Sequence, residues 1–455
     1  MGSLVDTYNE LLTDRALAAA SAERLQRGQK ERRLYFGDHP LSVSLRPRLV
    51  SEAEFDHAVE AAESVHGALS TLERALLEDR ALRAELGLEP REERLALAEP
   101  PGGSSSPSSR LDSFTADEVR YVEYNAESPA GMAYGDVLAE VMDSLPVMER
   151  FRRLFSLRAL PTRGMQVEAM LAAFRRWDAS AEPAVAIVDW VGVPTVTEFE
   201  LFRDFLLSQG VACTICDPAS LRYRKGRLTT SSGEPVNLVY RRVLTSELLS
   251  VDGESNAMCR AYLDGAAVVV NSFRAKLLHK KMSLALLSDE RYEHLYSADE
   301  LEAVRRHVPW TRRLAEGASS WNGDKVDDLV AFVRGRRSSM VLKPNDEYGG
   351  KGVVLGWTVS DSEWASALAA ALRQICVVQE AVPVPRETFP LVTGGVVDLV
   401  DMAVDMDPYL YEGKVGGALV RLSSSALLNV TAGDGSVVPT YVVEGVHASD
   451  TGVVS

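Results

Sequence analysis

Cysteine is scarce, with four residues in a chain of 455. That is too few for a disulfide framework, so stability must come from an apolar core. Cys213-Thr-Ile-Cys216 has the spacing of a zinc or redox pair, but no second pair accompanies it. Cys259 and Cys376 stand alone, and we read all four as buried structural thiols. Histidine is nearly as sparse: seven, with no His-x-x-x-His, so a histidine-ligated metal has no support. His279, in a lysine-rich stretch, reads as a helix-surface residue. No apolar run approaches the roughly 20 residues of a membrane span. A basic segment followed by an apolar core is missing at the start, and Asp6 stands where a myristoylation motif needs Ser or Thr. The expectation is a cytoplasmic chain with no membrane partner. Cationic excess is missing too. A net charge of −16 argues against nucleic acid, whose phosphates select basic surfaces. A nucleotide site needs only a local cluster of cations and stays open.

What is present is a globular composition, 46% hydrophobic and 25% charged, long enough for about two to three domains. Two motifs stand out. The first is Lys343-Pro-Asn-Asp-Glu-Tyr-Gly-Gly-Lys-Gly-Val353, between the apolar runs 340–342 and 353–355. A lysine leaving a strand, then a turn in which Gly349, Gly350 and Gly352 let backbone approach closely, suits a phosphate cradle that includes Lys351. It is not a Walker A loop, because Gly352 stands where Ser or Thr would be needed. A plain β-hairpin with a glycine turn is the bland alternative. The second motif is Val119-Arg-Tyr-Val-Glu-Tyr-Asn125. Period two puts Glu123 and Asn125 on one strand face. With Asp112 upstream they offer oxygen ligands for Mg2+, and Arg110 adds a cation for phosphate. The bland alternative here is an exposed polar face.

Arg110-x-Asp112, then Glu123-x-Asn125 followed by Ala-Glu-Ser-Pro, resembles the metal and phosphate motif of glutathionylspermidine synthases and their circularly permuted ATP-grasp relatives. The order matches the permuted family, because the Glu-x-Asn pair precedes the nucleotide lysines. The stretch from Asn271 to Met282 resembles the segment bearing the first ATP lysine. That role falls on Lys281, with Lys276 and Lys280 as alternatives. Lys343 resembles the second ATP lysine. Val377-Val-Gln-Glu380 resembles the adenine-contacting segment, which assigns Gln379 and Glu380 to cofactor binding. Tyr411 to Arg421, followed by Asn429, resembles the late strands that bring an arginine to the phosphates.

The resemblance implies an ATP- and Mg2+-dependent ligase joining a small-molecule carboxylate to an amine through an acyl phosphate. Arg110 and Arg421 would then be catalytic, with Asp112, Glu123 and Asn125 on the metal. A catalytically inactive nucleotide-binding partner protein and an ATP-grasp phosphotransferase are the alternatives. Tyr240-Arg-Arg242 resembles a strand of the permuted proteins, in which an arginine could take a substrate carboxylate.

The expected fold is α/β, with ATP-grasp lobes in permuted order, a βαβ substrate-side lobe and a helical N-terminal region. The boundaries are 1–99 helical, 100–160 metal-binding, 161–270 substrate-side (pre-ATP-grasp-like) and 271–455 nucleotide-binding. Residues 4 to about 28 read as helical and amphipathic. Ser51 and Glu54 form a capping box before a helix reaching about Leu77. Residues 184–189, 197–210 and 211–216 read as strand, helix and strand of a βαβ unit. Residues 100–109, rich in Ser, Pro and Gly, read as a mobile connection. Asn429-Val-Thr431 reads as an accidental sequon.

Overall fold

The helical start of the chain is broken once. Two helices form, Leu4–Leu11 and Arg15–Glu31, because the Asp14 carboxylate accepts from the N–H groups of Ala16 and Leu17 and caps the second. The Ser51/Glu54 capping box forms and opens a helix over Glu52–Glu78, burying a stripe from Phe55 through Leu69 to Leu76. This helix packs on helix Ala298–His307 and on the late antiparallel strands. The computed structural model describes residues 4–425, 428 and 435–446. Asn429 and its sequon lie outside the described residues.

The βαβ reading holds. Ala184–Val188, helix Val196–Ser208 and Ala212–Cys216 come in succession, and Gly210 closes the helix at φ +77°. The parallel sheet has the order Val268–Val270, Leu238–Arg241, Ala184–Val188, Ala212–Cys216. Val185 to Val188 are all buried, as a strand covered on both faces requires. From Ala184–Val188 the chain moves to one neighbour, then returns on the other side as Leu238–Arg241. Open α/β sheets leave a binding crevice at the carboxyl ends of such a reversal. Asp189 and Arg242 stand at those two ends.

A second, antiparallel sheet joins Thr311–Arg313, Cys376–Glu380, Met340–Pro344 and Val354–Leu355. The expected hairpin thus forms, with Val341 opposite Leu355. A seven-stranded sheet sets Ser108–Thr115 between Val119–Asn125 and Asp407–Tyr411, with Lys414–Ser423 beyond. Arg110 pairs there with Tyr409. Farther on, Thr440–Val446 pairs with Arg48–Ser51 and Phe155–Ala159. No helix among the described residues is long and apolar enough to cross a membrane.

Candidate functional site

One cleft of about 790 Å³ is lined by residues of the seven-stranded and second sheets and by Asp189 and Arg242, just past the ends of two parallel strands. On the seven-stranded side, strand register sets Arg110 opposite Asn125 and Asp112 opposite Glu123. Arg110 clasps Asp112 through Nε to Oδ1 at 2.7 Å and Nη2 to Oδ2 at 3.1 Å. Arg421 donates to the same Oδ2 at 2.9 Å, and Asn125 Nδ2 donates to Oδ1 at 2.8 Å. Burial alone would raise the Asp112 carboxyl, but the two guanidiniums override it and hold the group well below the carboxylate range. Behind Arg421 stand two acids that sequence reading missed. Asp405 Oδ2 accepts from Arg421 Nε at 2.7 Å, and Asp407 Oδ2 lies 2.8 Å from Nη2. Three buried acids face two guanidiniums. Burial accordingly pushes Asp405 up to about 6 and Asp407 well above its ordinary value. Their signal was present, as a pair of acids spaced two apart after the apolar run Met402, Ala403, Val404.

Lys343 lines the opposite wall, and Lys281 reaches Glu123 from beside it. Lys343 Nζ donates to Val122 O at 3.0 Å and to Gln379 Oε1 at 2.7 Å. Both acceptors are neutral, and burial brings the ammonium down to about 8 against the pull of Glu123. Lys281 Nζ lies 3.3 Å from Glu123 Oε1 and 2.6 Å from Glu347 O. Burial would raise Glu123, but Lys281 above all holds it below its usual value. The hairpin acid and both lysines are therefore neighbours. Lys276 and Lys280 turn elsewhere. Lys276 Nζ binds Asp346 at 2.6 Å and Glu127 at 3.1 Å, while Lys280 Nζ binds Glu92 at 2.9 Å and Asp346 at 3.2 Å.

Gly349, Gly350 and Gly352 have φ of +62°, +75° and +72°, a conformation that favours glycine, and a Cβ on Gly352 would come 2.8 Å from Pro344 Cγ. Gly349, Gly350 and Lys351 line the cleft. The Lys351 side chain is 75% exposed and pairs with Glu347 at 3.1 Å. Tyr348 OH donates to Glu247 Oε1 at 2.9 Å, joining the turn to the parallel-sheet side. Gln379 and Glu380 also line the cleft, but the Gln379 amide is engaged, holding Lys343 and donating to Thr311 Oγ1 at 3.0 Å.

His279 is a correction. It is 7% exposed and lines the cleft, because its helix packs inside the molecule; burial lowers its imidazole to about 4. Arg242 is likewise buried, donating to Pro129 O at 2.6 Å, with Nη2 3.7 Å from Glu198 Oε2. Glu198 Oε1 in turn accepts from Gly131 N at 2.7 Å. Cys259 and Cys376 are buried as expected, but Cys213 and Cys216, on the outermost parallel strand, are only half-buried; all four thiols are free.

The oxygen donors Asp112, Glu123 and Asn125 fit a hard ion such as Mg2+. Asp112 already serves two arginines, which leaves Glu123 and Asn125 as the less engaged donors. Glu127, His279 and Asp346 also cluster as closely as metal ligands do, but the Lys276 ammonium supplies the positive charge there.

No family model matches the chain. It is similar to an uncharacterized protein of Mycobacterium leprae (strain TN), 25% identical over 358 residues, 74% of this chain and 59% of that one. An uncharacterized protein of Mycobacterium tuberculosis (strain ATCC 25618 / H37Rv) is 24% identical over 256 residues, 55% and 43% of the two chains. The chain spans about half the length of the curated relatives it matches. Among solved structures it is similar to a glutathione synthetase-like effector from Globodera pallida in apo form. The TM-score is 0.60 at 14% identity, over 93% of this chain and 97% of that one. The chain has the mixed α/β fold of a glutathione synthetase-like protein.

Proposed function

We propose that this chain is an ATP-dependent carboxylate–amine ligase of the permuted ATP-grasp type, working on small-molecule substrates. One observation carries the reading: Glu123 and Asn125 on an early hairpin share a cleft with Lys343 from much later in the chain, and Lys281 reaches the same Glu123 at 3.3 Å. A cation buried beside neutral acceptors, as Lys343 is, is suited to polyphosphate. The glutathione synthetase-like fold supports the same reading.

Lys281 and Lys343 hold the phosphates of ATP, and the glycine turn lies over them. Glu123 and Asn125 hold Mg2+, which when bound neutralises phosphate charge. Arg421, with Arg110 beside it, meets the reacting end, where an incoming oxyanion competes with Asp112 for its guanidinium. The substrate carboxylate oxygen attacks the γ-phosphorus, and the bond to the leaving ADP oxygen breaks. The amine nitrogen then attacks the acyl carbon of the acyl phosphate, phosphate departs, and the proton of the amine passes to phosphate or water. Fixed cations suppress repulsion between two anions and stabilise the transferring group. Arg242, at the reversal of the parallel sheet, serves the substrate side.

The test is incubation with ATP, Mg2+, a pool of acids and hydroxylamine, followed by mass spectrometry. ADP with a hydroxamate is the expected result. A phosphorylated product without hydroxamate, or ATP binding without ADP release across the panel, overturns the reading.

A further inference from the structure

The cleft continues past Arg421 into an apolar annex. Leu419 lies two residues before Arg421 on the same strand, and Val437 is its direct partner on the next strand, so both flank the guanidinium on one face. The backbone of Val437 is bonded to Leu41 O at 2.9 Å, which brings Leu41 and nearby Phe36 to the same wall. Tyr134 and Val193 line the same cleft. Gly131, the cap of helix Met132–Asp143, closes the seam with φ +101°; a Cβ there would come 2.9 Å from Leu419 Cδ1. Leu41, Tyr134, Leu419 and Val437 are each 8% exposed or less, yet they border open space. Glu198 and Arg242, buried and also lining the cleft, leave Oε2 and Nε without a hydrogen bond.

The other end of the cleft, with Val341, Leu355 and Glu380 of the second sheet and Trp357 just after it, belongs on the ligase reading to the nucleotide. The annex instead adjoins the arginine at the reacting carboxylate. A small polar acid would leave its walls without contacts, whereas an apolar group gains both dispersion and desolvation there.

We propose that the acid substrate is amphipathic, its carboxylate at Arg421 and a bulky apolar body in the annex formed by Phe36, Leu41, Tyr134, Val193, Leu419 and Val437. This rests on the ligase reading and names the class of its acid.

Isothermal titration of the full chain, with Mg2+ and a non-hydrolysable ATP analogue, uses acetate, butyrate, hexanoate, octanoate and the polar control glutarate. Affinity should rise by about fourfold per added CH2 between butyrate and octanoate. Leu419→Ala and Val437→Asp should each flatten that rise, the milder Leu419→Ala serving if Val437→Asp misfolds. A flat series in the natural chain, or glutarate binding more tightly than hexanoate, overturns the proposal. The same acids are assayed for ADP release and hydroxamate. Rising affinity without turnover supports the annex and removes the ligase; turnover of short polar acids with a flat series does the reverse.

Discussion

Lys276 and Lys280 stand within five residues of Lys281, and all three are buried, but the first two are compensated differently from Lys343 in the cleft. The first two lie among Glu92, Glu127 and Asp346. Burial alone would lower the Lys276 ammonium; Glu127 and Asp346 instead raise it above its ordinary value. Lys343 touches only a carbonyl and an amide. On the proposed reading, a lysine held among several buried carboxylates, as Lys276 is, is structural, whereas Lys343, buried beside neutral acceptors, is kept ready for an anion; Lys281, paired with Glu123, lies between the two. Comparable burial therefore serves opposite ends, and charge balance tells them apart.

That contrast can be broken by substitution. Lys343→Ala should lower ATP-dependent ADP release by about 10²–10³-fold. Glu123→Ala should do as much, with circular dichroism unchanged for both. Wild-type turnover in either removes the assignment. Lys276→Met should act on folding instead: Glu127 and Asp346 lose their shared partner, and urea denaturation should show a loss of about 3–5 kcal/mol. An unchanged midpoint would erase the distinction.

Titration sharpens it further. The folded value of Lys343, about 8, lies below its unfolded value of 10.5. Its burial therefore disfavours the apo fold below about pH 8, and that penalty is relieved as pH rises toward the unfolded value. Nucleotide affinity runs the other way, because phosphate needs the proton. It should fall by up to roughly tenfold per pH unit above pH 8, and Lys343→Met should abolish the slope. The smallest effect is expected at Lys351, exposed and paired with Glu347. Lys351→Ala should change the KM for ATP by no more than about fivefold.

Local pattern made much of this visible. Alternation sets Glu123 beside Asn125, and an apolar run ending in Lys343 before a glycine turn announces a hairpin. The different partners of Lys276, Lys280 and Lys281 lay beyond composition, since Glu92, Glu127 and Asp346 come from three separate parts of the chain. Asp407 acquires its meaning only from a hairpin some 300 residues earlier, and Asp405 from Arg421, which that hairpin also meets. His279 misled because a four-residue helix, Lys276–His279, has no solvent face when buried on every side. The first helix divides because the local bonds of Asp14 outweigh a pattern that could have run on.

The bond from Ser113 N to Asp407 Oδ1 spans 294 residues. During synthesis the hairpin with Arg110 and Asp112 emerges long before Arg421, so the two walls have nothing to close against until most of the chain has left the ribosome. Such non-local pairing is slow to form and leaves strand edges open meanwhile. Once assembled, any nucleotide that binds only the finished cleft holds it shut by mass action.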